Sequence, residues 1–276
     1  MHSIEIELHP LTGYQNKPLR SIKFGLPEQW DELTADQILA IAPLYFQRMP
    51  EMDFKLHCLA CLLPARTGAY LRDEEILRLL PCLDWLTQDV SLTKQNFREI
   101  YYGLSGPKDG FENMTVAEYI TADQYFCQYL QDEAEEDLHL FVACLFRPIA
   151  NKRDSSDKRA KFSQDATGYL PKVKRLKPAF LLAQILWFAG CKRELCELYP
   201  SAFPKPHEEA PEQASEGGGW NKVLFYIAEQ KLFGDFANLT ENTYIHNIFS
   251  YIDSKIEQNN ESTASDKEPE RFENDV

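Results

Sequence analysis

Residues 138–146, Leu-His-Leu-Phe-Val-Ala-Cys-Leu-Phe, hold one polar side chain among nine, and the run stops at Arg147-Pro148. A helix apolar nearly all round has no face to offer water, so it has to be central. A second run, Ala179–Ala189, is almost continuously apolar and contains Gln184. Extended to Cys191 it is 13 residues long, too short to span a bilayer and suited to a core helix. Two such helices need an amphipathic layer around them. The expected fold is mainly α, with a helical bundle-like core, a short N-terminal β-hairpin and a disordered acidic C-terminal tail.

The elements follow from period and punctuation. Residues 3–8 alternate polar and apolar, and Leu19–Phe24 alternates again. With the turn-rich Pro10–Pro18 between them, this predicts a hairpin over 1–26. Helical spacing then takes over, giving an N-terminal helical region over 27–105. Thr34 with Gln37 three residues on is a capping-box start for a helix carrying Ile38, Ile41, Ala42 and Tyr45 on one face. Phe54–Leu63 is a second helix closed by Pro64, and Asp73–Leu80 a third with acids in its first turn. Residues 83–102 are ambiguous, with Val90-Ser91-Leu92 readable as a short strand. The turn 103–110, Gly-Leu-Ser-Gly-Pro-Lys-Asp-Gly, is the best internal boundary.

A C-terminal helical region is expected over 106–256. Thr115 and Glu118 form a second capping-box pair, and Tyr119, Ala122, Phe126, Tyr129 and Leu130 follow at helical spacing. Asn151–Lys177 carries nine Lys/Arg against three Asp and reads as a long exposed basic loop or a poorly ordered segment. Pro178 starts the next helix as a first-turn proline. Pro204–Gly219, with three prolines and a run of three glycines, is a linker. A helix over Trp220–Phe233, ended by Gly234, and a last one from about Glu241 to Ile256 complete the set. The tail 257–276, with seven acids and two bases, is expected to be disordered.

The formal net charge of −14 repels nucleic acid and anionic membranes except where bases are concentrated. The odd set of seven cysteines sits mostly in apolar helical patterns, which suits free thiols in a reducing cytoplasm. The first residues have neither a basic nor an apolar signal region, so no signal peptide is expected.

Few residues suggest chemistry. Cys58-Leu-Ala-Cys61 has the spacing of half a zinc site or a redox pair, with Cys191 and Cys196 as conceivable completing ligands. Leucines 56, 59, 62 and 63 surround it, so two small core residues one helical turn apart is the simpler reading. The glycine-rich turn 103–110 lacks the Gly-Lys-Ser/Thr of a phosphate loop, and Ser105 lacks the glycine that a nucleophile elbow needs two residues later. The six histidines are scattered, with His57 and His139 placed as packed helical residues. No catalytic, cofactor-binding or metal-binding residue is expected, and the chain does not read as an enzyme. The one candidate contact surface is the set Lys152, Arg153, Lys158, Arg159, Lys161, Lys172, Lys174, Arg175 and Lys177, which can meet a polyanion or an acidic partner. Phe162 and Tyr169 lie among them as possible stacking groups. Arg147, closing the apolar run, is of the kind that pairs a carboxylate or caps carbonyls.

Several short motifs occur together. They are Pro27-Glu-x-Trp30-x-x-Leu33-Thr34, Gly106-Pro107 with Asn113-Met-Thr115-Val-Ala-Glu118-Tyr119, Leu145-Phe146-Arg147-Pro148, Leu186-Trp187-Phe188-x-Gly190-Cys191-Lys-x-Glu194-Leu195, and Gly219-Trp220 with Phe233-Gly234-Asp235. Over roughly residues 20–252 the order resembles tail-assembly-chaperone-like proteins of tailed phages and prophages in Bacteroidetes-type bacteria. The resemblance implies a non-enzymatic cytoplasmic assembly factor. Its partners would be the helical tape-measure protein, whose apolar seam it keeps soluble, and tail-tube subunits. A structural virion component is the near alternative. A nucleic-acid-binding accessory protein using 151–177 is the alternative from another class. No cofactor and no membrane association are implied.

Overall fold

A computed structural model describes residues 2–8, 20–64, 67–68, 71–150, 157–163, 165, 168–203, 224 and 227–265. The chain is mainly α, as its periodicity predicts. Strands β1 (His2–Leu8) and β2 (Arg20–Leu26) pair antiparallel, with Ile4 opposite Phe24 and Ile6 opposite Ile22. Helix α1 (Ala35–Tyr45) starts at the expected capping box: Gln37 N–H donates to Thr34 Oγ1 at 3.3 Å and Thr34 N–H to Gln37 Oε1 at 2.9 Å. Helix α2 (Glu51–Leu62) ends just before Pro64, which disfavours helical backbone at the residue preceding it. Helix α3 (Asp73–Leu79) passes into a 3-10 stretch, Leu80–Thr87.

Beyond it, β3 (Glu99–Ile100), β4 (Leu104–Ser105) and β5 (Arg147–Pro148) form a small antiparallel sheet in that order. Helices α4 (Val116–Asp132) and α5 (Glu135–Leu145) lie between β4 and β5 in the chain. A short α6 (Leu170–Val173) precedes α7 (Pro178–Leu198), which begins at the predicted proline. Helices α8 (Phe236–Asn242) and α9 (Ile245–Ser265) complete the described elements.

The chain forms two compact units interleaved in sequence, rather than divided at 105/106. One comprises 1–110 and 121–194, the other 111–120 and 195–276. In the first unit α5 and α7 supply the core. Phe126, Phe141 and Phe188 meet with ring centroids 5.1–5.9 Å apart. Burying an aromatic of this size contributes about 1.5–3 kcal/mol. Irregular residues 92–95 run against α7. Trp187 Nε1 donates to the Thr93 carbonyl at 2.9 Å, and Gln95 Nε2 donates to Gln184 Oε1 at 3.1 Å. Asp31 accepts from Thr93 N–H and Oγ1 at 2.7 Å and from Lys94 N–H at 2.9 Å.

In the second unit the first turn of α4 and the start of α9 are joined by backbone. Val116 N–H donates to the Thr243 carbonyl at 3.1 Å, and Ile245 N–H to Met114 at 2.9 Å. Phe249 packs with Tyr119, Tyr199 and Phe203, at centroid distances of 5.9, 6.0 and 4.6 Å. Asp253 Oδ1 takes the Ser201 and Ala202 N–H groups beyond the end of α7. Glu118 N–H donates to Thr115 Oγ1 at 3.4 Å, one half of the expected second capping box.

Four expectations change. Val90–Leu92 is not a strand, because its neighbours' polar groups bond to side chains rather than to a ladder. Of the helix expected over Trp220–Phe233, residues 220–223, 225 and 226 lie outside the described residues. The rest is helical at 224 and 227–229 and unwinds by Lys231, at φ 55°, so Gly234, at φ 84°, closes a turn instead. Asp235 then caps α8 through Asn238 N–H at 2.8 Å. The last helix begins at Ile245 and continues to Ser265, so residues 257–265 are helical rather than tail, while 266–276 lie outside the described residues. The linker 204–219 also lies outside them.

Gly190, inside α7, marks the closest approach. A Cβ there would lie 2.3 Å from the Leu92 carbonyl oxygen and 2.5 Å from its nitrogen. Backbone cannot yield as a side-chain tip does, so Gly190→Ala is predicted to destabilise by about 2–4 kcal/mol in urea unfolding. An exposed helix would instead gain up to about 1 kcal/mol from the same change, so an unchanged or raised midpoint would refute the close packing.

Candidate functional site: an apolar groove and a basic face

The end of α1, the middle of α4 and the middle of α7 enclose an open groove of about 420 Å³ in the first unit. Its floor is Phe46, Phe126, Ile185 and Leu186, with Val90 and Ala189 beside them. Helical spacing produces this directly. Phe126 and Leu130 stand one turn apart on α4, and Ile185 and Ala189 one turn apart on α7. Leu130, on the wall, is 51% exposed.

Charge is confined to the rim. Arg193 donates to the Asp89 carbonyl at 3.1 Å and lies 3.7 Å from its carboxylate. Lys192 pairs with Asp123 at 2.5 Å and sits 5.3 Å from the centre of the Phe126 ring. Burial, and secondarily Asp89, push the Tyr45 phenol above its usual range, so it stays a neutral wall. The arrangement offers apolar contact and edge hydrogen bonds, with no nucleophile beside a base. The sequence signalled Phe126 and Leu130 as helical positions but not the gap between the three helices.

Cys58 and Cys61 sit in α2. Burial pushes the Cys58 thiol up to about 12, and burial raises Cys61 as well, so both thiols stay protonated. Among the described residues no group of three or more His, Cys, Asp or Glu is placed to hold a metal ion. His57 Nδ1 bonds the Asp53 carbonyl at 2.7 Å, and buried His139 lies 3.9 Å from Glu135.

The basic segment divides into two roles. Lys152 and Arg153 lie outside the described residues. Lys158, Lys161, Lys174, Arg175 and Lys177 are exposed, and Lys172 is half-buried with its ammonium donating to the Tyr102 carbonyl at 3.2 Å. Lys158 pairs with Glu99 at 2.7 Å.

Arg159 corrects the expectation. It is 2% exposed, bridges to Ile149, and holds Asp157 through Nε and Nη2 at 3.0 Å. Its other arm donates to the Leu145 carbonyl at 3.3 Å. Arg147 donates to the Cys144 and Ala160 carbonyls at 3.2 and 2.9 Å, and the Tyr169 hydroxyl to Ala143 at 3.1 Å. These donors satisfy the carbonyls that α5 leaves open at its C-terminus, where positive charge also meets the helix dipole. Arg159 and Tyr169 are therefore structural, and Phe162 is covered by the Arg147 guanidinium at 5.5 Å. Among the described residues of the expected loop, Arg159 and Tyr169 are thus tied to the end of the helix before it, and Val173 of α6 is buried.

The chain matches no protein-family model, no curated protein and no solved structure.

For Asp157, burial pulls the carboxyl up, but hydrogen bonds and charge from Arg159, with Arg147 beyond, outweigh it and hold the pKa below the usual carboxylate value. A depressed folded-state pKa gives stability that is full above the unfolded value of about 4 and is lost as pH falls through the folded value. Arg159→Gln is predicted to cost about 3 kcal/mol at pH 7. The gap to the wild type should narrow as unfolding is measured at successively lower pH below 4. A gap independent of pH would mean that the ion pair is not what the arginine contributes.

Proposed function

We propose that this chain is a non-enzymatic assembly factor of the tailed-phage tail-assembly-chaperone kind, acting in the cytoplasm of the bacterial host. It holds a tape-measure-like helical protein and brings it to tail-tube subunits. The observation that carries this reading is the groove: an apolar floor from three helices, open to solvent, with its charges held at the rim. Such a surface fits an amphipathic helix that inserts residues at i, i+3 and i+4. The ordered motifs from Pro27 to Asp235 supply the kind of partner. No described helix is long and apolar enough to cross a membrane, which is compatible with this site of action.

Leu130→Glu tests it. The residue is half in water, so the fold should lose no more than about 0.5 kcal/mol. A carboxylate on the groove wall should weaken capture of a co-expressed tape-measure-like protein at least tenfold, about 1.4 kcal/mol. Equal capture by both proteins would remove the groove from the interface. Stoichiometric recovery of the chain in purified particles would make it a structural component instead.

A further inference from the structure

The turn between β3 and β4 is unusual. Tyr102 lies in the left-handed region, at φ 69° and ψ 14°. For a bulky side chain this is a genuine outlier. The next residue, Gly103, has the same φ of 69° without cost, so the chain places a tyrosine at a position where glycine would relax. Strain of this kind gathers at functional positions. Both tyrosines of the turn meet solvent: Tyr101 is 86% exposed and Tyr102 46%.

Cations border this turn. Lys172 donates to the Tyr102 carbonyl at 3.2 Å, which places α6 against it. Residues 168–177 carry Lys172, Lys174, Arg175 and Lys177 and no acid. Lys174, Arg175 and Lys177 are exposed and form no ion pair with a described residue. Half-exposed Ile149 joins the patch, its N–H donating to the Gly103 carbonyl at 3.1 Å. Beside them, β3 is one of the two edge strands of its sheet.

We propose that the Tyr101–Tyr102 turn and the Lys172–Lys177 segment form a second docking surface, one that takes a short acidic peptide segment carrying aromatic side chains. Charge selects the occupant. The patch is locally basic in a chain of net charge −14, so a long polyanion would run from it onto a repelling surface. A peptide of a few residues fits within it. The tyrosines give flat apolar faces with hydroxyl donors for carboxylates, the lysines and arginine give charge, and the β3 edge can pair with extended backbone. The surface is separate from the groove, so its test does not depend on the tape-measure reading.

The experiment is fluorescence anisotropy with the full chain and a labelled 12-residue peptide alternating Glu with Phe and Gly. A Gln-for-Glu version and a 12-nucleotide oligo-dT are run in parallel. The acidic peptide should bind, and raising salt from 50 to 300 mM should weaken it severalfold. Lys174→Gln with Arg175→Gln should weaken it at least fivefold. Tyr102→Gly should do the same while leaving the melting temperature unchanged or raised, because it relieves the backbone; a purely structural tyrosine would not separate these readouts. No binding, equal binding of the Gln peptide, binding indifferent to either variant, or preference for oligo-dT would each overturn the proposal, the last in favour of single-stranded nucleic acid.

Discussion

The backbone of residues 92–95 has no helix or sheet partner of its own, and side chains from far along the sequence hold it. Asp31 takes two of its N–H groups and the Thr93 hydroxyl, and Asp109 takes the Gln95 N–H at 2.8 Å. The Thr93 carbonyl accepts from Trp187 Nε1 and from Gly110 N–H. Leu92 and Gln95 are buried and Thr93 half-buried, and a buried backbone group left unpaired costs about as much as a lost hydrogen bond, so this segment can run against the core only because these partners are present. Their presence fixes what surrounds it. Gly190 must be glycine to let Leu92 approach, and α7 is thereby held at the distance that leaves the groove open beside Val90 and Ala189.

The same logic repeats at the end of α5. A helix apolar all round ends with carbonyls that nothing apolar can satisfy. Arg147, Arg159 and Tyr169 reach back to Ala143, Cys144 and Leu145. These donors tie residues 159 and 169 to the end of α5, and Lys172 of α6 reaches the tyrosine turn. Surfaces able to meet a partner, the groove and the basic face, are thus what remains outside these two polar clusters.

Legibility in the sequence follows from the range of the interactions. Thr34 with Gln37, the proline at 178 and the apolar runs of α5 and α7 are local signals, and they placed their elements correctly. Residues 83–102 were ambiguous because their partners are Asp31, Asp109 and Trp187, between 14 and 94 positions away. Arg159 looked like one of nine surface cations because nothing in its neighbourhood shows that Leu145 needs a donor. The extension of α9 beyond Ile256 was hidden by a polar composition that serves a solvated helix as well as a tail. Of the groove, only the individual helical faces were readable; of the tyrosine turn, nothing was, since Tyr102 carries no mark of a positive φ.

Amide hydrogen exchange at Thr93, Lys94 and Gln95 tests the central claim most directly. Pinned as described, these amides in an irregular segment should exchange as slowly as those in the middle of α7, and Asp31→Ala should speed the first two far more than it speeds α7. Exchange near the rate of an open loop in the wild-type protein would contradict the account, because the groove and its wall would then have no fixed frame.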